Sequence, residues 1–116
     1  MDKSLNLNNI YDFYSELLTA FQREVFEMYY HEDLSLTEIA DQNGTSKQAV
    51  SILLRRTETK LLHYESKLGL LEQHRNTNAA IIELEELINT FAGNGKLERE
   101  SAATLKKVIS EWHSKV

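Results

Sequence analysis

The sequence predicts an all-α protein: a helix-turn-helix head, a long helix that runs out of it, and a C-terminal αα-hairpin. Three observations carry this. The 116 residues include no proline and only four glycines, so few breakers interrupt helical runs. Apolar residues return at three- and four-residue spacing through successive segments of the chain. Between Leu34 and Arg56, two such segments are separated by Gly44 and flanked by capping residues, the pattern of two helices joined by a tight turn.

Residues 1–8 are polar and are expected to fray. From Asn9, the spacing of Ile10, Phe13, Tyr14, Leu17 and Leu18 marks one face of a helix over roughly 9–18. Thr19 and Gln22 have capping-box spacing and open a second helix, in which Phe21, Val25, Met28 and Tyr29 repeat at four, three and one residues. The aromatic set Tyr11, Phe13, Tyr14, Phe21, Phe26, Tyr29 and Tyr30 sits at helical spacing among Leu and Ile, and so reads as core. Carboxylates around it would repel a nucleic-acid backbone. His31-Glu32-Asp33 closes the second helix as a solvated corner.

Ser35 and Glu38 form another capping box, after which Leu36, Ile39 and Ala40 supply an apolar face. The small side chain at 40 lets a second helix cross closely. Gly44 takes positive φ without a Cβ penalty and turns the chain, and Ser46 or Thr45 caps the next helix. That helix shows no breaker before Gly69. Its inward set is Val50, Leu53 or Leu54, Thr57, Leu61, Tyr64 and Leu68. Running from 46 to about 72, it would be on the order of 40 Å long, too long for a three-helix head to cover. Leu61, Leu62, Leu68, Leu70 and Leu71 would then need cover from the C-terminal segment or another subunit.

Asn76-Thr77-Asn78 offers caps for a following helix with Ile81, Leu84, Ile88 and Phe91 on one face, widened by Ile82 and Leu87. Gly93-Asn94-Gly95 breaks it, and a last helix carries Leu97, Leu105, Val108, Ile109 and Trp112, with Lys106, Lys107 and Glu111 on its wet side. The expected division is a helix-turn-helix DNA-binding domain at 1–68 and a hairpin at 69–116 that serves packing or dimerisation.

One set of residues resembles a known family. Tyr11-Asp12-Phe13-Tyr14, Leu17-Leu18-Thr19, Gln22-Arg23, Tyr29-Tyr30, Asp33-Leu34-Ser35-Leu36, Glu38-Ile39-Ala40 and Gln48-Ala49-Val50 together look like the YlxM-type helix-turn-helix proteins of Gram-positive bacteria. The first half of that family is in turn similar to region 4 of bacterial sigma factors. The match is dense from Ile10 to about Leu71, and beyond that only length and helical character agree. The resemblance implies an all-helical, sigma-region-4-like DNA-binding fold. It also implies a regulatory link to the signal recognition particle pathway, drawn from the family's gene neighbourhood. Where the related proteins carry polar residues after Ala-Val, this chain has Ser51-Ile52-Leu53-Leu54. Three consecutive apolar residues cannot all point inward, and Ile52 is the one expected outside.

In a helix-turn-helix, the first turns of the second helix reach base edges while the first helix crosses the backbone. Lys47, Gln48 and Ser51 are therefore the candidates nearest to bases, Gln48 toward adenine and Lys47 toward guanine or phosphate. Ser46 serves phosphate or the cap. Arg55, Arg56 and Lys60 lie further along and suit phosphate contacts that fix register, and Thr37 approaches the backbone from the preceding helix.

The net charge of −5 argues against a generally basic coat, but its distribution matters more. Residues 1–34 carry two basic and seven acidic groups, 35–67 five and four, and 68–116 six and seven. Only the segment holding the motif escapes the acidic balance, so binding to double-stranded DNA is expected to be modest and salt-sensitive. A two-fold homodimer reading paired half-sites is the expected assembly. The absence of cysteine fits a reducing cytoplasm, and the polar N-terminus shows no signal peptide or membrane span. No catalytic constellation, cofactor motif or metal-ligand spacing is found: His31, His63, His74 and His113 stand apart, and Glu83, Glu85 and Glu86 read as a solvent face. The rival to DNA binding is a non-catalytic module that keeps the helix-turn-helix as a scaffold and docks a protein or ribonucleoprotein through Ile52 and its acidic helices.

Overall fold

In the computed structural model, residues 3–113 are described, with side chains from 6 to 112. The described residues form α1 (Lys3–Tyr14), a 3-10 turn (Ser15–Leu17), α2 (Ala20–Tyr30), α3 (Leu36–Asn43), α4 (Lys47–Leu68), α5 (Leu70–Gly93) and α6 (Arg99–His113), with no strand among them. They divide into two compact units, 1–71 and 72–116.

The first unit is built around α4, which packs against α1, α2 and α3. Val50, Leu54, Thr57 and Leu61 return at four, three and four residues, so one stripe of α4 enters the core and all four are buried. Leu7, Ile10, Tyr11 and Tyr14 of α1, Val25 and Phe26 of α2, and Ile39 and Ala40 of α3 close around that stripe. Tyr11 and Phe26 stack with ring centroids 4.4 Å apart. Thr57 is the one buried polar residue of the described core, and its hydroxyl donates to the Leu53 carbonyl 2.8 Å away in its own helix. Each local signal is consumed as its chemistry requires. Thr19 Oγ1 accepts from the Gln22 amide at 3.1 Å while Gln22 Oε1 accepts from the Thr19 amide at 2.9 Å. Ser35 and Glu38 repeat the exchange at 3.1 and 3.0 Å. Each box satisfies two orphan donors, and a cap of this kind is worth about 1 kcal/mol.

Three tyrosines tie the helices together through carboxylates. Tyr11 donates to Glu27 at 2.9 Å, Tyr30 donates to Glu58, and Tyr14 donates to Glu65 Oε1 at 2.7 Å. The Tyr14 oxygen also accepts from the Leu70 amide at 3.0 Å, and Glu65 Oε1 accepts from the Leu71 amide at 3.1 Å. The first two amides of α5 are thus capped by side chains from α1 and α4.

Several expectations from the sequence are corrected. The first helix begins at Lys3 and ends at Tyr14, and Leu7, in the stretch expected to fray, is 1% exposed because α1 packs along α4. The long helix stops at Leu68, where Gly69 takes φ 61° and its amide bonds the Glu65 carbonyl at 2.8 Å. At 22 residues it is about 33 Å long. Leu61 and Leu71, expected to need outside cover, are buried within the first unit, whereas Leu62, Leu68 and Leu70 are exposed. Asn76-Thr77-Asn78 lies inside α5 and caps nothing, since the helix is already open from Leu70. Of the aromatic set, Tyr11, Tyr14 and Phe26 are buried and Tyr30 is half-buried, while Phe13, Phe21 and Tyr29 are exposed.

In the second unit, α5 continues to Gly93 and α6 follows a turn in which Gly95 has φ 73° and the Lys96 amide bonds the Phe91 carbonyl at 2.9 Å. Ile81, Ile88 and Ala102 are its buried residues. Among the described residues, no helix is long and apolar enough to cross a membrane.

Candidate nucleic-acid interface

The turn between α3 and α4 is set by Gly44, at φ 64° and ψ 35°, whose amide and that of Thr45 both bond the Ala40 carbonyl. Asn43 adds a side-chain bond to the Ile39 carbonyl at 2.7 Å. With Ile39, Ala40, Val50 and Leu54 buried together, the crossing of α3 and α4 is fixed by packing. The leading turn of α4 is thereby held outward.

Lys47 and Gln48 are exposed, Ser51 is half-buried, and Arg55 and Arg56 are exposed with Lys60 half-buried further along. Ser46 Oγ accepts from the Ala49 amide at 3.0 Å, so its hydroxyl acts as the cap. No acid stands in the first turn of α4, leaving the positive end of the helix dipole beside Lys47 without a neutralising carboxylate. The start of α3 is the opposite case. Glu38 is held below the usual carboxylate range by its bonds to the Ser35 amide and hydroxyl, so the chain supplies its own anion there. Thr37, exposed in that turn, brings a hydroxyl to a helix end whose charge is already balanced.

The predicted residues do not share one face. At about 100° per residue, Lys47, Ser51, Arg55 and Gln48 fall in one sector of α4, while Arg56 and Lys60 lie roughly 100° further round. There they meet α2. Gln22 of α2 with Ile52, Arg55, Arg56, Thr59, Lys60 and His63 of α4 line an open groove of about 700 Å³. A second hollow of about 450 Å³ adjoins it, lined by Phe21, Thr45, Ala49, Val50, Ile52, Leu53 and Arg56. Ile52 is 45% exposed and belongs to both, flanked by arginines. Thr59 and His63 were not singled out from the sequence, although the 52-56-59-63 spacing places them on the groove; Gln22 and Phe21 arrive from another helix and left no local signal.

The side chains of Lys47, Arg55, Arg56 and Lys60 make no hydrogen bond or ion pair among the described residues. Arg23, by contrast, is spent on carbonyls, donating to Leu18 O at 2.7 Å and Ser15 O at 3.4 Å. Four cations and a helix N-terminus free of acids are groups that suit a phosphate backbone. No group of three or more His, Cys, Asp or Glu that could hold a metal ion occurs among the described residues.

A family model described as "Putative helix-turn-helix protein, YlxM / p13 like" matches residues 1–100. A UPF0122 protein of Shouchella clausii is 47% identical over 88 residues, covering 76% of this chain and 81% of its own. Relatives of the same name from Geobacillus kaustophilus and Clostridium botulinum are 40% and 42% identical, covering 93% and 83% of this chain and 96% and 89% of theirs. The turn geometry, the capped and outward second helix and these matches agree: the chain belongs to the UPF0122 family of YlxM/p13-like helix-turn-helix proteins.

Proposed function

We propose that this protein is a non-catalytic, cytoplasmic DNA-binding regulator that places the first turns of α4 in the major groove of duplex DNA. The observation that carries it is the leading turn of α4, capped by Ser46, free of acids and presenting exposed Lys47 and Gln48. Lys47, Gln48 and Ser51 approach base edges, and Arg55 takes phosphate on the same sector. Arg56 and Lys60 take phosphates from the groove side, and Thr37 is a peripheral backbone contact. The proposal includes a two-fold dimer that meets paired half-sites. The regulatory link to the signal recognition particle pathway is part of it too, supported by the family resemblance alone.

The test is anisotropy titration of a labelled duplex at two salt concentrations. It compares the native chain with a Lys47→Ala, Arg55→Ala, Arg56→Ala variant. Each lost phosphate contact lowers the log–log salt slope by about 0.9, so the variant's slope is expected to be shallower by roughly 2 to 3. Absence of binding at low salt, or an unchanged slope, refutes the reading. Such a result favours the second reading, a protein-docking module, for which exposed Ile52 between two hollows is the supporting observation.

A further inference from the structure

The hairpin of α5 and α6 buries little of its own apolar surface. Ile81, Ile88 and Ala102 are its buried side chains, too few to offset the ordering of two helices. Meanwhile Leu84, Leu87 and Phe91 of α5 and Leu105, Val108 and Trp112 of α6 are each between 43% and 57% exposed. Both triplets are spaced three then four residues, the repeat of a helix that packs along another helix. Leu84 lines the same groove as Val108 and Trp112, a hollow of about 380 Å³ that also takes in Ala80, Ile81 and Ile109, so the two stripes open on one side.

We propose that this side pairs with the same side of a second copy, so that two hairpins close a four-helix bundle. Three features select a second copy as the occupant. An isologous contact needs a surface complementary to itself, and two parallel stripes of equal spacing meet that condition. At roughly 80–140 Å² for each half-exposed side chain, the six give on the order of 500 Å² per copy, or about 1,000 Å² for the pair, which reaches the lower bound of a specific interface. Charge agrees as well. Helix α5 carries Glu72, Glu83, Glu85 and Glu86 against Arg75, whereas α6 carries Arg99, Lys106 and Lys107 against Glu100 and Glu111; setting α5 of one copy on α6 of its partner brings a net-acidic helix beside a net-basic one. This deepens the paired-copy part of the proposed function and rests on that part only.

The chain's single tryptophan makes the test direct. Light scattering on the full chain from low to high micromolar concentration is read together with acrylamide quenching of Trp112. The expected result is twice the 13.4 kDa chain mass at high concentration, with Trp112 shielded there and becoming accessible as the mass falls on dilution. A Leu87→Asp, Val108→Asp variant is expected to stay at the single-chain mass with unchanged far-ultraviolet circular dichroism. Ile82→Asp, also exposed but on the other side of α5, is expected to keep the doubled mass. A native chain that remains single at every concentration overturns the inference. So does a doubled mass with Trp112 as accessible as in the dilute chain, which would place the contact elsewhere. The native-chain readings decide the matter even if a variant fails to fold. Duplex affinity is measured separately, so failure of DNA binding and failure of pairing are distinguishable.

Discussion

Replacing Tyr14 by Phe removes one oxygen from the core and leaves the ring. That oxygen donates to Glu65 Oε1 at 2.7 Å and accepts from the Leu70 amide at 3.0 Å. Its loss deprives a carboxylate of a charge-assisted bond and leaves the first amide of α5 without its acceptor. A bond to a charged group contributes about 1.5–3 kcal/mol, and an amide that loses its acceptor costs about 1–3 kcal/mol when buried, towards the lower end here because Leu70 is exposed. Water can reach part of the network, because Glu65 is only half-buried, so the two costs overlap and a net destabilisation of about 2 kcal/mol is expected. Urea unfolding followed by circular dichroism gives the difference directly, with the m-value unchanged because the native fold is kept. A Tyr14→Phe, Glu65→Gln double variant should cost less than the sum of its two single changes, with a coupling of about 1 kcal/mol. A loss under about 0.5 kcal/mol, or strict additivity, would show that the clamp does not hold the α4–α5 corner.

The phenols also set a pH dependence. Burial, reinforced by the bond to Glu27, pushes Tyr11 up to about 12, and burial with the Glu65 and Glu58 bonds raises Tyr14 and Tyr30. The folded chain therefore holds these protons more tightly than the unfolded chain. Their contribution is whole below the ordinary tyrosine value of about 10 and is lost as pH rises through about 12. Unfolding measured at mildly and strongly alkaline pH should show stability level to about pH 10 and then falling; a level profile throughout would contradict the assignment. Gly44→Ala adds a Cβ that meets nothing within 4 Å, so the cost is that of positive φ alone, about 1–2 kcal/mol with the fold intact, and a structure of the variant with a rebuilt turn would count against this. Leu61→Ala, at 0% exposure, should cost about 2–5 kcal/mol, while the same change at its neighbour Leu62, 45% exposed, costs under about 1 kcal/mol; comparable losses would misplace the core face of α4.

Much of the candidate interface was legible because its signals are local. The Ser35–Glu38 exchange spans three residues, Gly44 turns the chain by its own backbone freedom, and Ser46 caps the helix it precedes. Ile52 could be placed outside by counting around the helix, and it is exposed. The same count separates Arg56 and Lys60 from Lys47 and Ser51, yet the groove they line exists only because α2 supplies its other wall with Gln22. That wall lies about thirty residues away in sequence and no periodicity announces it.

The sequence by itself determined the class of the protein, the order of its helices and the stop at Gly44, because propensity, capping and positive φ act within a few residues, whereas the long helix, expected to run on to about 72, ends at Gly69. It did not determine where α1 begins or where α5 begins. Leu7 is ordered by burial against residues far along the chain, and α5 opens at Leu70 because Tyr14, 56 residues earlier, and Glu65 receive its first amides. Those partners become neighbours only after the helices pack. Asn76-Thr77-Asn78 therefore lost to a cap assembled in three dimensions, one that accepts two amides at the helix's true first turn.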